Sequence, residues 1–272
     1  MKQAAENREQ IAKNREQTTD ILVVKNLYSG YNGIDVIKDI SLSASRGEVL
    51  AVIGPNGCGK TTLLKTLARL LPYRGSITLE GKEISSLSRK NLAKKIALLA
   101  QTSGIYFPYS VYDTCSLGRF PHSSSILKGL SVEDEEMIRQ VLVKLELWDI
   151  KDNLINELSG GQLQRVFLAR TIVQNPELIL LDEPTNHLDL KHQVELLEYL
   201  SLWAKENNRA VVAVLHDLNL ARRYAHRAVL LCQGILVSQG DCDAVLSGEL
   251  LQETYGLDIK AFMLESLRKW QG

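Results

Sequence analysis

Residues 54–61 read Gly54-Pro55-Asn56-Gly57-Cys58-Gly59-Lys60-Thr61, and this stretch matches the pattern G-x-x-x-x-G-K-[ST] at every fixed position. It follows an apolar run, Val49 to Ile53, and leads into a segment from Thr62 to Leu71 with leucines at helical spacing. Glycines let backbone N–H groups close around phosphate oxygens, and a helix start adds a positive dipole end. The stretch therefore predicts a strand, a phosphate-binding loop and a helix rather than an ordinary glycine-rich turn.

The side chains of this stretch have predictable tasks around a nucleoside triphosphate. Lys60 is expected to reach the outer phosphates, and the Thr61 hydroxyl is expected to bind Mg²⁺. The nucleotide contacts should also include Thr62 and the whole of 54–61. Cys58 has two possible states. A helix start and Lys60 would favour a reactive thiolate, whereas a side chain turned into the core would be inert.

Composition limits the class of protein. The chain has 272 residues, 45% of them hydrophobic and 24% charged, which is typical of a globular protein. Because 32 Lys and Arg residues balance 32 Asp and Glu residues, we expect no nucleic-acid partner. Apolar runs such as Ala210 to Leu215 are far shorter than the ~20 residues needed to cross a bilayer.

Targeting and cysteine patterns favour a reducing compartment. The first twenty residues carry Lys2, Arg8 and several acids without an apolar stretch, so we expect no secretory signal. The four cysteines show no C-x-x-C spacing, which argues against a zinc site and against a disulfide framework. A cytoplasmic location fits this pattern.

Alternating strand and helix signals predict an α/β fold with a mostly parallel sheet. Residues 1–20 form a polar tail, and short strand signals from Ile21 predict an N-terminal antiparallel β subdomain. A helical insert is expected at about 102–160, where Ser131 and Asp134 form a helix-capping pattern. Strand and helix signals then resume up to residue 248, and 249–272 is expected to be a helical tail.

A second signal is Leu178-Ile179-Leu180-Leu181-Asp182-Glu183, four apolar residues that end in two acids. Buried parallel strands have this composition, and α/β sheets place ligands at the carboxyl ends of their strands. We therefore expect Asp182 to help bind Mg²⁺ and Glu183 to polarise the water that attacks the terminal phosphate. Two acids on a surface turn are the alternative, which the phosphate loop disfavours.

The third signal is Leu158-Ser159-Gly160-Gly161-Gln162, followed by a helical segment that stops at Pro176. Alone it would be a helix-capping turn. Together with the two preceding motifs, it makes the chain resemble the ATP-binding cassette (ABC) ATPases, whose signature it matches. The resemblance runs from about Ile21 to about Gly248 and implies a P-loop NTPase core with an ATPase activity.

The resemblance assigns further residues. Tyr31 resembles the aromatic residue that stacks on adenine, with Tyr28 as a rival. Gln101 resembles a glutamine that binds Mg²⁺ and supports catalysis, and His216 resembles the histidine that contacts the γ-phosphate. Residues 186–189, Asn-His-Leu-Asp, resemble the D-loop.

The resemblance also implies partners. In this family two cassettes stack head to tail, so Ser159, Gly160, Gly161 and Gln162 would contact nucleotide held by a second copy. One phosphate loop and one signature per chain suit a homodimer. Transport would need separate membrane-spanning permease subunits and, indirectly, a substrate-binding protein, with this chain peripheral on the cytoplasmic face of the membrane.

Finer similarity concerns the transported substrate. Residues 116–122, Ser-Leu-Gly-Arg-Phe-Pro-His, and the segment Leu215–Ala221 resemble importers of iron-siderophores, haem and cobalamin. Aromatic residues from Tyr106 to Tyr112 are candidates for contact with the permease, and internal packing is the alternative. An exporter, a ribosome-acting cassette and a DNA-repair cassette remain alternatives, although the last two classes usually have paired cassettes or long coiled coils.

Overall fold

The computed structural model describes residues 20–100, 108–123, 129–186, 188–247 and 249–269. Two sheets organise these residues. The first is antiparallel, in the order β2-β1-β4-β5, and its strands are β1 (Asp20–Tyr31), β2 (Ile34–Ser45), β4 (Tyr73–Leu79) and β5 (Lys82–Glu83). The predicted N-terminal antiparallel subdomain is therefore confirmed.

The second sheet forms the α/β core and has the order β10-β9-β3-β8-β7-β6. Strands β9, β3, β8, β7 and β6 run parallel, and β10 returns antiparallel to β9 as a hairpin. The strands are β3 (Val49–Ile53), β6 (Ile96–Leu99), β7 (Leu178–Asp182), β8 (Ala210–Val214), β9 (Arg227–Cys232) and β10 (Ile235–Asp241). The predicted mostly parallel sheet is confirmed.

The central strands β3, β7 and β8 are buried at every residue, which explains their uninterrupted apolar sequences. Side chains alternate between the two sides of the sheet because the strand repeat is two residues. Ile179 and Leu181 join a core formed with the helices of the insert and the later helices. Leu178 and Leu180 join a second core, formed with the phosphate-loop helix and the antiparallel sheet.

The helices of the first half flank the phosphate loop and build the insert. They are α1 (Lys60–Leu67), α2 (Arg89–Lys95), α3 (Val111–Ser116) and α4 (Val132–Lys144). Ser131 and Asp134 form the expected capping box at the start of α4. A 3-10 segment, Leu117–His122, follows α3 directly.

The helices of the second half begin with the one that follows the Ser-Gly-Gly turn. They are α5 (Gly160–Val173), α6 (Leu190–Glu206), α7 (Leu218–Tyr224), α8 (Cys242–Ser247), α9 (Glu249–Tyr255) and α10 (Ile259–Arg268). Within the described ranges, no helix is both long enough and apolar enough to span a bilayer. The division into tail, cassette, insert and C-terminal segment stays a prediction.

Helix α1 is shorter than leucine spacing suggests. The spacing continues to Leu71, but α1 ends at Leu67 and Arg69 adopts a left-handed φ of 56°. The Arg69 guanidinium donates hydrogen bonds to the carbonyl oxygens of Ile84 and Leu87, at 2.7 and 2.6 Å. A left-handed residue just past a helix ends it, and these long-range bonds stabilise that conformation.

Candidate functional site

The phosphate loop joins β3 to α1, and its first glycine has no room for a side chain. A Cβ on Gly54 would lie 2.2 Å from the carbonyl oxygen of Leu231, and its φ of 146° disfavours other residues. Gly59 has a φ of 105° at the residue before α1. The glycines of the motif therefore occupy positions where the backbone conformation or the lack of space disfavours a side chain.

The Lys60 side chain is buried inside the phosphate loop. Its Nζ donates hydrogen bonds to the carbonyl oxygens of Gly54 and Pro55, each at 2.8 Å. Its exposed fraction is 6%. The ammonium is thus held at the centre of the loop by two neutral carbonyl acceptors.

Cys58 differs from the reactive state weighed from the sequence. Its side chain is 4% exposed, and burial raises the pKa of its thiol above the usual range. Lys60 Nζ lies 4.0 Å from Cys58 Sγ and acts in the opposite direction, but burial outweighs it. The structure therefore favours the alternative of an inert, core-facing thiol.

Thr61 and Asp182 lie together where β7 ends beside α1. The Thr61 hydroxyl donates a hydrogen bond to Asp182 Oδ1 at 3.1 Å, and Asp182 is 3% exposed. Burial raises the pKa of the Asp182 carboxyl, while the bond from Thr61 acts to lower it. Adjacent hydroxyl and carboxylate oxygens are ligands that suit a hard divalent cation.

Glu183 follows β7 in a left-handed conformation, with φ 54°. Its Oε1 lies 2.6 Å from His216 Nε2, and its Oε2 accepts a hydrogen bond from Asn186 Nδ2 at 2.5 Å. Burial acts to raise the pKa of Glu183, but the bonds from His216 and Asn186 outweigh it and hold the pKa below its usual range. The carboxylate is therefore ionised and oriented from both sides.

One polar cavity of about 520 Å³ unites most of these groups. It is lined by Val36, Asn56, Gly57, Gly59, Lys60, Thr61, Thr62, Glu183, Asn186 and His216. Glu183 and His216 arrive from separate strand ends, β7 and β8, as the position of ligand sites in parallel sheets predicts. Phosphate-binding groups and a hydrogen-bonded carboxylate thus face the same space.

Two lining residues were missed as site residues from the sequence. Val36 belongs to the antiparallel sheet, and nothing in its sequence context signals a site. Asn186 was recognised as part of a loop motif but not as a partner of Glu183. A sequence signal existed, because Pro184 favours a turn after Glu183, and Asn186, three residues after Glu183, can reach back to it.

The aromatic candidates are separate from this cavity lining. Tyr31 is 43% exposed at the end of β1. The Tyr28 ring is covered by the Arg74 guanidinium, 5.3 Å from its centroid, so one of its faces is already occupied. The geometry favours Tyr31 as the ring available for stacking. Gln101 lies outside the described residues, and its role stays a prediction.

The Ser-Gly-Gly-Gln turn stands apart from the cavity lining as well. Ser159 and Gly160 are exposed at the start of α5. Ser159 Oγ accepts from the Gln162 N–H at 3.3 Å, and Gln162 Oε1 accepts from the Ser159 N–H at 3.0 Å. This capping box orders the helix start and leaves the amides of Gly160 and Gly161 at the positive end of α5.

Comparison with known proteins agrees with this geometry. Residues 37–186 match the family described as ABC transporter. The chain is 38% identical over 238 residues to the iron(3+)-hydroxamate import ATP-binding protein FhuC of Bacillus subtilis, covering 87% of this chain and 88% of that protein. It is 38% identical over 229 residues to the ferric enterobactin transport ATP-binding protein FepC of Escherichia coli, covering 84% of each.

Solved structures show the same fold. A chain of a "metal-chelate type ABC transporter" in an inward-facing conformation superposes with a TM-score of 0.75 at 30% identity, covering 88% of this chain and 90% of that one. The ADP conformation of MJ1267, an ATP-binding cassette of an ABC transporter, has a TM-score of 0.76 at 25% identity, covering 88% and 99%. The phosphate loop, the signature turn and the strand that ends in two acids lie in one P-loop fold. The chain therefore belongs to the ABC transporter family, as an ATP-binding subunit.

Proposed function

We propose that this chain is the ATP-hydrolysing subunit of an importer that takes up an iron chelate through separate membrane-spanning subunits. The observation that carries the proposal is the shared cavity of the phosphate loop, Glu183 and His216, on a chain similar to iron-hydroxamate and enterobactin import subunits. A petrobactin import ATP-binding protein, 37% identical over 246 residues, supports the same substrate class.

The hydrolytic step is phosphoryl transfer to water, where positioning and charge stabilisation dominate. Glu183, ionised and held by His216 and Asn186, orients the water and accepts its proton. Lys60 exchanges its bonds to Gly54 and Pro55 carbonyls for the outer phosphate oxygens. His216 lines the same cavity and is the proposed contact to the γ-phosphate.

Mg²⁺ fits the oxygens of Thr61 and Asp182, which lie 3.1 Å apart at the cavity edge. When bound, the ion neutralises charge on the outer phosphates. Across the described residues, no cluster of three or more His, Cys, Asp or Glu side chains forms a metal cage. A small number of protein ligands suits Mg²⁺, which keeps waters and phosphate oxygens as its other ligands. Gln101 is the proposed third protein ligand.

The active form is proposed to be a head-to-tail homodimer. The anion-binding end of α5, at Ser159 and Gly160, is exposed and absent from the cavity lining of its own chain. A second copy could present these groups to the nucleotide that faces Glu183. ATP would then bridge two chains, and loss of the γ-phosphate would release them.

The insert offers a surface for the membrane subunits. A groove of about 750 Å³ lies beside α3 and α4, and exposed apolar side chains line it. Tyr109, Leu117 and Phe120 are 46%, 49% and 59% exposed. Aromatic anchors of this kind are favoured at protein interfaces. We infer a peripheral location on the cytoplasmic face of the membrane, with a substrate-binding protein acting indirectly.

The test is uptake by cells that lack the gene and carry it on a plasmid. Labelled ferric hydroxamate, ferric enterobactin, haem and cobalamin are supplied separately, and co-purified membrane proteins are identified. We expect uptake of one iron chelate with the wild type, none with Glu183→Gln, and recovery of a permease. The importer would be rejected if the plasmid restored uptake of none of the iron chelates and an exporter or a ribosome were recovered with the protein.

A variant of the groove tests the docking surface. Tyr109→Ala removes an exposed ring of the groove without touching the nucleotide cavity. We expect reduced co-purification with the permease or reduced uptake, while the isolated subunit still hydrolyses ATP. Unchanged uptake and unchanged co-purification would place the docking surface elsewhere.

A further inference from the structure

The segment that follows Glu183 is held by two glutamine side chains from two different helices. Gln164 Nε2, from α5, donates a hydrogen bond to the Pro184 carbonyl oxygen at 3.1 Å. Gln193 Nε2, from α6, donates to the carbonyl oxygens of Thr185 and Leu188 at 3.3 and 2.9 Å. Neither glutamine lines the nucleotide cavity, so both act on the segment and not on ATP.

Glu183 depends on this support because its backbone is not at its preferred conformation. A left-handed φ of 54° is unfavourable for a glutamate, and the residue after it is a proline, which has no N–H to donate. Pro184 and Thr185 are both buried. A buried carbonyl oxygen that loses its donor is destabilised, so the bond from Gln164 helps to fix the turn that aims Glu183.

Gln164 has a second property that Gln193 lacks. It lies on α5, five residues after Ser159, whose capping box orders the start of that helix. Gln193 lies near the start of α6, where Asp189 accepts from the His192 N–H and no signature residue is present. Gln164 therefore joins the signature turn to Pro184, the residue that follows Glu183, through one rigid helix and one hydrogen bond.

We propose that Gln164 is a positioning residue that couples the two ATP sites of the dimer. This rests on the proposed head-to-tail arrangement, in which the signature of a chain meets the nucleotide of its partner while Glu183 acts on its own nucleotide. When α5 shifts on binding the partner's nucleotide, the Gln164 amide that donates to the Pro184 carbonyl oxygen moves with it. The orientation of the Glu183 carboxylate changes as a result. ATP at one site thereby promotes hydrolysis at the other.

The experiment compares Gln164→Met with Gln193→Met in the full-length protein. Methionine keeps the length and the helix propensity of glutamine but has no donor. Hydrolysis is measured against ATP concentration, and affinity is measured with a fluorescent ATP analogue. We expect both variants to lower the maximal rate about three- to tenfold, because Gln164→Met loses one hydrogen bond and Gln193→Met loses two. Gln164→Met alone should also bring the Hill coefficient of hydrolysis down to one, with analogue affinity unchanged.

Two further variants complete the test. Gln164→Lys keeps a donor of sufficient reach and should restore the Hill coefficient. Gln140→Met, on the exposed face of α4, should match the wild type. Equal Hill coefficients in the two main variants, or a wild type that hydrolyses ATP with a coefficient of one, would overturn the coupling role. A wild type without ATPase activity would instead reject the proposed function, and the coupling with it.

Discussion

The phosphate loop and the signature turn both place glycines at the start of a helix, yet they differ in burial and in the groups that face them. In the phosphate loop, Lys60 is buried, and the loop faces Glu183 and His216 across one cavity. In the signature turn, Ser159 and Gly160 are exposed, and the turn is closed on itself by a capping box.

An anion-binding turn therefore does not make a nucleotide site unless other groups face it. The phosphate loop lies at the carboxyl end of a sheet, where other strand ends supply Asp182, Glu183 and His216. The signature turn lies at the start of one helix, α5, and none of its residues lines the cavity that Glu183 and His216 face. In the proposed head-to-tail dimer, the phosphate loop binds nucleotide within its own chain, whereas the signature turn meets the nucleotide of the partner.

The largest expected effect concerns the carboxylate of the complete site. Glu183→Gln preserves shape but cannot accept a proton, so hydrolysis should fall by about 10²- to 10⁴-fold while ATP binding persists. Phosphate release and size-exclusion chromatography with ATP measure the two properties, and an ATP-bound dimer should accumulate. Glu198→Gln, exposed on α6, is the control. Hydrolysis within a few-fold of the wild type would remove Glu183 from its role.

A change in the phosphate loop should affect binding. Lys60→Ala removes a charged donor from the outer phosphates, which weakens ATP affinity by about 10- to 100-fold, since such bonds contribute about 1.5–3 kcal/mol. Titration with a fluorescent ATP analogue measures this change. Lys38→Ala, exposed on β2, should leave the affinity unchanged. Undiminished affinity of Lys60→Ala would contradict the loop's role.

A change in the signature turn should spare binding and reduce hydrolysis. Ser159→Arg places bulk at the exposed end of α5, so hydrolysis should fall about tenfold or more while one chain binds ATP normally. Ser131→Arg is a matched control, because Ser131 caps α4 with the same kind of capping box. Normal hydrolysis by Ser159→Arg would show that the signature turn takes no part in hydrolysis and would reject the shared site.

Asn186 provides a further test of the nucleotide cavity, because it holds the Glu183 carboxylate there. Asn186→Ala removes one hydrogen bond to the Glu183 carboxylate and should lower the maximal rate several-fold, with little change in ATP affinity. Steady-state hydrolysis provides both parameters. Asn156→Ala, on the exposed surface before the signature, is the control. An equal loss of affinity and rate would indicate that Asn186 acts on binding instead.

The smallest effect is expected at Cys58. Because burial raises the pKa of this thiol, a maleimide should label it slowly at neutral pH, and faster only as the pH rises above the usual thiol range. Cys232, which is half-buried, should react first. Mass spectrometry with and without Mg-ATP measures both sites. Rapid labelling of Cys58 that ATP suppresses would restore the reactive state.

Local patterns sufficed wherever neighbouring residues alone set the structure. The apolar run before Asp182 predicts a buried strand over 178–181, and the structure has β7 at Leu178–Asp182. The pattern at Ser131 and Asp134 predicts a helix start, and the capping box is present. These features depend on strand burial and on hydrogen bonds between residues three apart, both of which are visible in a sequence.

The fold class, the phosphate loop and the family can be assigned from the residues of the chain, because the motifs are short and carry their chemistry locally. Which side chains come into contact depends on the folded chain. Cys58 is buried, which raises the pKa of its thiol. Arg69 bonds to distant carbonyls at the end of α1, and Gln164 reaches Pro184, 20 residues away. Such contacts depend on how strands and helices pack in three dimensions, and no residue spacing along the chain encodes them.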